Sequence, residues 1–398
     1  MNIFKLSIKN IFNKPLSSTI SLALLILGIG IISLLLQLNS LIKNQMNNNL
    51  KGIDMVVGAK GSPLQLILSS VYHVDSPTGN ISYKEADEIS KNKMVGSSIK
   101  LLYGDNYKGF RIVGAEKKYI ELYGAVFKKG NEWNKPFEVV VGSKVSKELK
   151  INLGDEFVSS HGLRENGESH DHKSFKVVGL LEPSNSVIDQ LIITSPTSVW
   201  NIHGDHDHLD DDEHQHDEKK ITAMLIKFKS PMNIIQFPRL INEKTNLQAA
   251  VPSYEISRLF KLFGFGIETL SYLAYIIILV SGFSLFINLF NSMNDRKYEM
   301  ALIRTLGGSR MLLSKMIIFE SLILTISGFL LGLLFSRLGV ILVSSLMEES
   351  INYDLNSFII LNEEYWLLIL SVLIGLVASL IPVIQVYKMN ISKILSDE

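Results

Sequence analysis

Cysteine is absent from all 398 residues. Disulfides and thiolate metal sites are therefore excluded, while either redox compartment stays open. An excess of one charge is lacking too. The chain has 39 basic and 39 acidic side chains, so the basic footprint of a nucleic-acid binder is missing and no nucleic-acid partner is expected. No G-x-x-x-x-G-K-[ST] phosphate loop occurs, since "GAKGSP" (58–63) has no Lys-Ser/Thr ending. No Ser/His/Asp grouping, H-E-x-x-H or paired-carboxylate arrangement stands out, and His73 beside Asp75 reads equally well as a structural pair. With no such set, no catalytic residue is assigned.

Long apolar runs are what the sequence has in plenty. "PLSSTISLALLILGIGIISLLLQLNSLI" (15–42) carries no charge over more than the roughly 20 residues that span a bilayer. It outruns the apolar region of a signal peptide and reads as an uncleaved span. Runs at 268–293, 312–346 and 365–387 add three more. The fold class expected is an α-helical membrane protein with four transmembrane helices, plus a large extracytoplasmic α+β domain (43–267) inserted between helices 1 and 2. Lys5, Lys9 and Lys14 flank the first span; Arg296, Lys297, Arg304, Arg310 and Lys315 lie between the second and third; Lys388 and Lys393 follow the fourth. Residues 347–364 hold five carboxylates and no base. The positive-inside rule then predicts both termini in the cytoplasm, the inserted domain outside, and a multi-pass protein of the plasma (inner) membrane.

Residues 2–14, "NIFKLSIKNIFNK", read as an amphipathic helix on the cytoplasmic leaflet (assigned 1–14) ahead of Pro15. Within 43–267, the runs 110–115, 137–142, 175–181, 190–195 and 222–228 read as strands, and 82–92 and 143–150 as helices. The segment from Leu64 to Val71 reads either as a cargo surface or as a buried core helix. Loops are expected at 159–174 and 201–220. The second contains "HGDHDHLDDDEHQHDEKK" (203–220), with five histidines and eight carboxylates. His203, His206, His208, His214 and His216, with His170 and His172 of the first loop, are candidate ligands for zinc or another divalent metal. Their irregular spacing suggests a capture tract rather than a preformed catalytic site.

The spans carry few charges and no evident polar file, which suits force transmission better than conduction. In the third, Arg337 is predicted to snorkel to the outer interface, and the role of Glu320 is open. Gly328 and Gly332 form a G-x-x-x-G that favours close helix packing or dimerisation. Residues 294–311 read as a cytoplasmic coupling helix and loop. Met300, Ile303 and Leu306 or Leu302 form one face; Arg296, Lys297 and Arg304 form the other. Gly307-Gly308 ends it, and Ser309 caps the next helix.

The stretch "NDRKYEMALIRTLGGSRMLLSKMIIFESLILTISGFLLG" (294–332) resembles the FtsX-like permease family, which includes membrane subunits of MacB-type and lipoprotein-releasing ABC transporters. Arg296, Glu299, Met300, Ala301, Arg304, Leu306, Gly307, Gly308, Ser309 and Glu320 match its signature. The resemblance implies a permease, with no ATPase site of its own, that dimerises with a second copy. It also implies a pair of cytosolic ABC ATPase subunits, which would bind the ATP. Arg296, Glu299, Met300, Ile303, Arg304, Gly307 and Gly308 are the coupling residues it implies. The partner's ATP-driven closure would move the outer domain and so shift or release an outer-face cargo or binding protein. Three readings stay open: such a permease linked to divalent metal, a lipoprotein- or peptide-export permease without a metal role, and a membrane-anchored metal sensor.

Overall fold

The computed structural model describes residues 3–13, 15–160, 169–203, 219–346 and 360–389. The chain divides into two compact units, Met1–Ile42 with Phe263–Glu398, and Lys43–Leu262. Two helices open it, α1 (Ile3–Asn13) and α2 (Pro15–Asn49). Pro15 is the first residue of α2, a position where the missing N–H removes no helical bond.

The Lys43–Leu262 unit is a sheet with helices on it. Its strands among the described residues are β1 (Met55–Ala59), β2 (Ile81–Ser82), β3 (Val95–Tyr107), β4 (Phe110–Ala115), β5 (Phe127–Gly130) and β6 (Glu138–Val141). They continue with β7 (Glu156–Ser160), β8 (Ser169–Leu181), β9 (Leu191–Thr194), β10 (Lys220–Ile221), β11 (Ala223–Phe228) and β12 (Leu247–Ala250). The helices are α3 (Pro63–Ser70), α4 (Tyr83–Ser90), α5 (Lys118–Leu122), α6 (Ser143–Glu148), α7 (Pro196–His203) and α8 (Asn233–Lys244). The main sheet runs β12-β1-β11-β3-β4-β9-β6-β8-β5, with β7 pairing β3 and β8, while β10 pairs β2. The pairs β4·β9 and β6·β8 are parallel, and the other pairs are antiparallel.

Strand alternation explains why so many strands are apolar throughout. Val56, Leu101, Val113, Val140 and Ile193 join one core cluster with Leu66, Ile67 and Tyr119. Their neighbours Met55, Val57 and Leu102 join a second, and Ile112, Val139, Val141 and Ile192 a third. Both sheet faces are therefore covered, which requires apolar residues at both parities. Leu66, Ile67 and Val71 belong to the core, so the segment from Leu64 is a core helix rather than a cargo surface.

The loop expected at 159–174 is shorter than predicted. Ser160 ends β7 and Ser169 begins β8, paired to each other, so the backbones of His170 and His172 are strand. The second histidine tract is likewise trimmed, by α7 to His203 and by β10 from Lys220.

Three helices complete the chain's apolar spans: α9 (Pro252–Asp295), α11 (Arg310–Leu346) and α12 (Asn362–Lys388), with the short α10 (Lys297–Thr305) between the first two. With α2 they are four helices long and apolar enough to cross a membrane. Helix α9 starts at Pro252, well before the apolar run at 268, because Arg258, Lys261 and Glu268 interrupt hydropathy without interrupting helix. Polar side chains sit at the helix contacts. Ser21 and Ser284 share a 2.9 Å hydrogen bond, and Asn288 Nδ2 donates to Ser18 Oγ at 3.4 Å. Ser321 Oγ donates to the Gly375 carbonyl at 2.6 Å. In an apolar medium such bonds join helices where burial adds little. Helix α1 packs on α11, burying Ser7, which donates to the Met316 carbonyl at 3.3 Å. Its buried face meets α11, while Phe12 on the same helix is 75% exposed.

Candidate functional site

The segment joining α9 to α11 is the candidate site. Helix α9 ends at Asp295, Arg296 begins the next turn, and α10 runs to Thr305. Gly307 then takes φ +93°, a left-handed value that suits glycine. At Gly308 a Cβ would lie 2.7 Å from the Ile303 carbonyl oxygen, so the turn closes back onto α10. Ser309 Oγ accepts the Leu312 N–H at 3.2 Å, helping to start α11.

The two apolar edges of α10 have different fates. Met300 is 2% exposed and packs with Leu313, Met316, Ile317 and Val386, with Leu6 of α1 and Ile303 beside them. Ala301 is also buried. By contrast Tyr298, Leu302 and Leu306 are 45%, 46% and 81% exposed. Their spacing of four residues makes one continuous stripe. Glu299 lies open beside it, Arg304 is half-buried, and Arg304 Nη1 reaches the Gly308 carbonyl at 3.5 Å. The sequence reading grouped Met300 and Ile303 with Leu306 or Leu302 on one face; the structure packs Met300 and Ile303 against other helices and leaves Leu302 and Leu306, with Tyr298, exposed. The i, i+4, i+8 spacing was the available signal.

Two charged contacts involve α11. Arg296 binds Glu299 through Nε at 3.2 Å and approaches Glu320 through Nη1 at 4.0 Å. Ser292 Oγ lies 3.4 Å from the same Glu320 carboxylate. Arg296 is thus directed largely into the fold. The prediction for Arg337 fails. It is 5% exposed and grips Glu364 of α12 with two hydrogen bonds, Nη1 to Oε1 and Nη2 to Oε2, each 2.8 Å. Ser33 Oγ of α2 donates to Oε1 at 2.5 Å, and the Leu361 N–H to Oε2 at 2.9 Å. A carboxylate partner across the bundle removes any need to snorkel. Gly328 and Gly332 pack within the chain. A Cβ on Gly328 would meet Leu25 at 2.8 Å, and one on Gly332 would meet Ile29 at 3.1 Å.

In the sheet unit, His73 is a satisfied structural residue. Its Nδ1 lies 2.9 Å from Tyr103 Oη and its Nε2 2.8 Å from Tyr119 Oη. The Tyr103 hydroxyl donates onward to the Ser69 carbonyl, so His73 Nδ1–H donates to Tyr103 and Nε2 accepts from Tyr119. Burial, and secondarily Arg111, push the His73 pKa down to about 3. Burial raises Tyr103 and Tyr119 above the usual tyrosine range. Asp75 does not join this chain of bonds; its Oδ1 accepts the Ser76 N–H at 2.7 Å. Of the candidate metal ligands, His206, His208, His214 and His216 lie outside the described residues, and so do the side chains of His170, His172 and His203. Among the described residues no three His, Asp or Glu side chains form a metal-binding group.

Residues 271–391 match the family model "FtsX-like permease C-terminal", and residues 18–242 match "MacB-like periplasmic core domain". The chain is similar to the periplasmic region of MacB from Actinobacillus actinomycetemcomitans. That match has 12% identity and a TM-score of 0.35, over 54% of this chain and 97% of that one. It is also similar to the extracellular domain of the noncanonic ABC-type transporter YknZ from Gram-positive bacteria. Here identity is 11% and the TM-score 0.32, over 49% of this chain and 98% of that one. Among curated proteins nothing matches. The family assignment rests on the two family models.

Proposed function

This chain belongs to the FtsX-like permease family and carries a MacB-like periplasmic core domain, and on that premise we propose that a separate cytosolic ATPase docks on α10 and works the sheet domain through the helices. The chain is the membrane permease component of an ABC transporter. The finer reading is mechanotransmission: nucleotide-driven closure of two ATPase subunits presses on α10 in each of two permease copies. The sheet domain then moves an outer-face cargo such as a lipoprotein, a peptide or an amphiphile.

One observation carries this reading, the exposed stripe of Tyr298, Leu302 and Leu306 beside Glu299. Solvent-facing apolar side chains at helical spacing, on a short helix anchored from behind, suit docking into a groove of a partner. The anchor is the Met300 cluster, which joins α10 to α11 and α1, so displacement of α10 is passed to the helices rather than absorbed. Lys297, Arg310 and Lys315 around this segment support its cytoplasmic placement, and with it cytoplasmic termini. The test is co-purification of the ATPase with the full chain carrying Leu302→Asp and Leu306→Asp. Truncated interface anchors commonly cost about 2 kcal/mol or more, so recruitment should weaken by at least about tenfold while membrane insertion persists. Unchanged recruitment would refute the docking face.

The histidine tract supports an accessory reading, capture of a divalent metal on the sheet domain. Five imidazoles among eight carboxylates offer donors suited to zinc, copper or nickel. His203, His206, His208, His214 and His216 would hold the ion.

A further inference from the structure

We propose that Arg337, Glu364 and Ser33 form a rigid joint that makes α2, α11 and α12 move as one body when the permease works. These are positioning residues, and the proposal builds on the mechanotransmission reading. Each partner comes from a different helix: Ser33 from α2, Arg337 from α11 and Glu364 from the first turn of α12. The carboxylate is fully occupied. Oε1 takes Arg337 Nη1 at 2.8 Å and Ser33 Oγ at 2.5 Å, while Oε2 takes Arg337 Nη2 at 2.8 Å and the Leu361 N–H at 2.9 Å. Ser336 Oγ adds a 2.9 Å bond with Ser33 Oγ, and Arg337 Nη1 a 3.3 Å bond to it.

Glu364 is 0% exposed and Arg337 5%, so breaking the pair would leave a charge without solvent or counter-charge. That cost makes separation of these helices far less favourable than motion at softer contacts. Paired, planar bonds also fix orientation, because a guanidinium gripping both oxygens cannot swivel about a single bond. The glycine contacts on α11 extend the joint along the helix: Gly328 and Gly332 sit against Leu25 and Ile29 of α2. Helix α2 is also the element from which the chain passes into the Lys43–Leu262 unit. A push delivered to the start of α11 would therefore reach α2 through this joint without loss to sliding between helices.

Because cysteine is absent, two introduced cysteines report specifically. The experiment places spin labels at the exposed positions Asn39→Cys on α2 and Glu363→Cys on α12 of the full chain in lipid nanodiscs. It measures their separation without the ATPase, and then with it in the presence and absence of ATP. The joint predicts one narrow distance in all three conditions. In Glu364→Gln, which keeps the side chain's shape, the distribution broadens or shifts by about a helical turn, roughly 5 Å. ATP hydrolysis by the complex persists while cargo movement is lost, a split that simple misfolding would not give. Ser33→Ala, which changes no charge, gives a smaller broadening in the same direction. A narrow, unchanged distance in Glu364→Gln with full cargo movement overturns the proposal. So does a wild-type distance that changes with ATP. The arm without ATPase reads the joint even if docking on α10 fails, so the two readings fail separately.

Discussion

At one end of α11 a carboxylate meets a guanidinium through two 2.8 Å bonds, with both residues out of solvent. At the other, Glu320 lies 4.0 Å from an Arg296 that also binds the exposed Glu299 at 3.2 Å. The same pair of residue types thus serves opposite ends of one helix in different ways. The Arg337–Glu364 contact is closed on every oxygen and ties three helices. The Arg296–Glu320 contact is longer, and its guanidinium is shared with Glu299 of α10. Under the mechanotransmission proposed above, the shared contact would receive the push and the closed one would pass it on.

That contrast is open to direct attack. Glu364→Ala strands Arg337 and should cost about 3–5 kcal/mol, read as loss of thermal stability of the full chain in detergent. Arg296→Gln should cost less, because Arg296 stands 4.0 Å from Glu320 and shares its guanidinium with the exposed Glu299. Equal losses would erase the distinction between the two ends.

A smaller effect separates the chain's histidines in the same manner. His73 is held by two tyrosines and stays neutral to about pH 3, whereas an unfolded histidine titrates near 6.5. The unfolded chain therefore takes up this proton first. Stability is full above about pH 6.5 and falls as pH drops toward 3, by at most about 1.4 kcal/mol per pH unit. Denaturant melts at pH 7 and pH 5 should show the slope. His73→Asn should flatten it, since asparagine tolerates the φ of +55° found there; an unaltered slope would assign it to other groups. The smallest effect expected is metal uptake by the tract His203–His216. Calorimetry with zinc chloride should give binding tighter than about 1 mM, lost when those five histidines are replaced, and no heat at all would end the metal reading.

Hydropathy and charge made the four spans legible, and apolar β-branched runs marked strands such as β4 (Phe110–Ala115) and β9 (Leu191–Thr194). The thirteen-residue β3 was hidden, because "VGSSIKLLYGDNY" mixes glycine, serine and charge. It keeps its place by pairing with β11 and β4, information that lies far away in sequence. Helix α9 was cut short for a related reason: hydropathy reports where lipid begins, not where helix does. The segment joining α9 to α11 was visible as a unit, yet its orientation was not. Which edge of α10 turns inward depends on Leu313, Met316 and Val386 of other helices. Arg337 was misplaced because its partner, Glu364, looked like one more acid in an acidic connection. A long-range ion pair leaves no local pattern.

The central claim is that the stripe Tyr298–Leu302–Leu306, and not the Met300 edge, meets the ATPase. A photo-activated cross-linking residue placed at Leu306, and separately at Met300, in the assembled complex tests this most directly. The account predicts a cross-link to the ATPase from position 306 and, from position 300, products confined to the permease itself. Cross-linking to the ATPase from position 300 with none from 306 would contradict it.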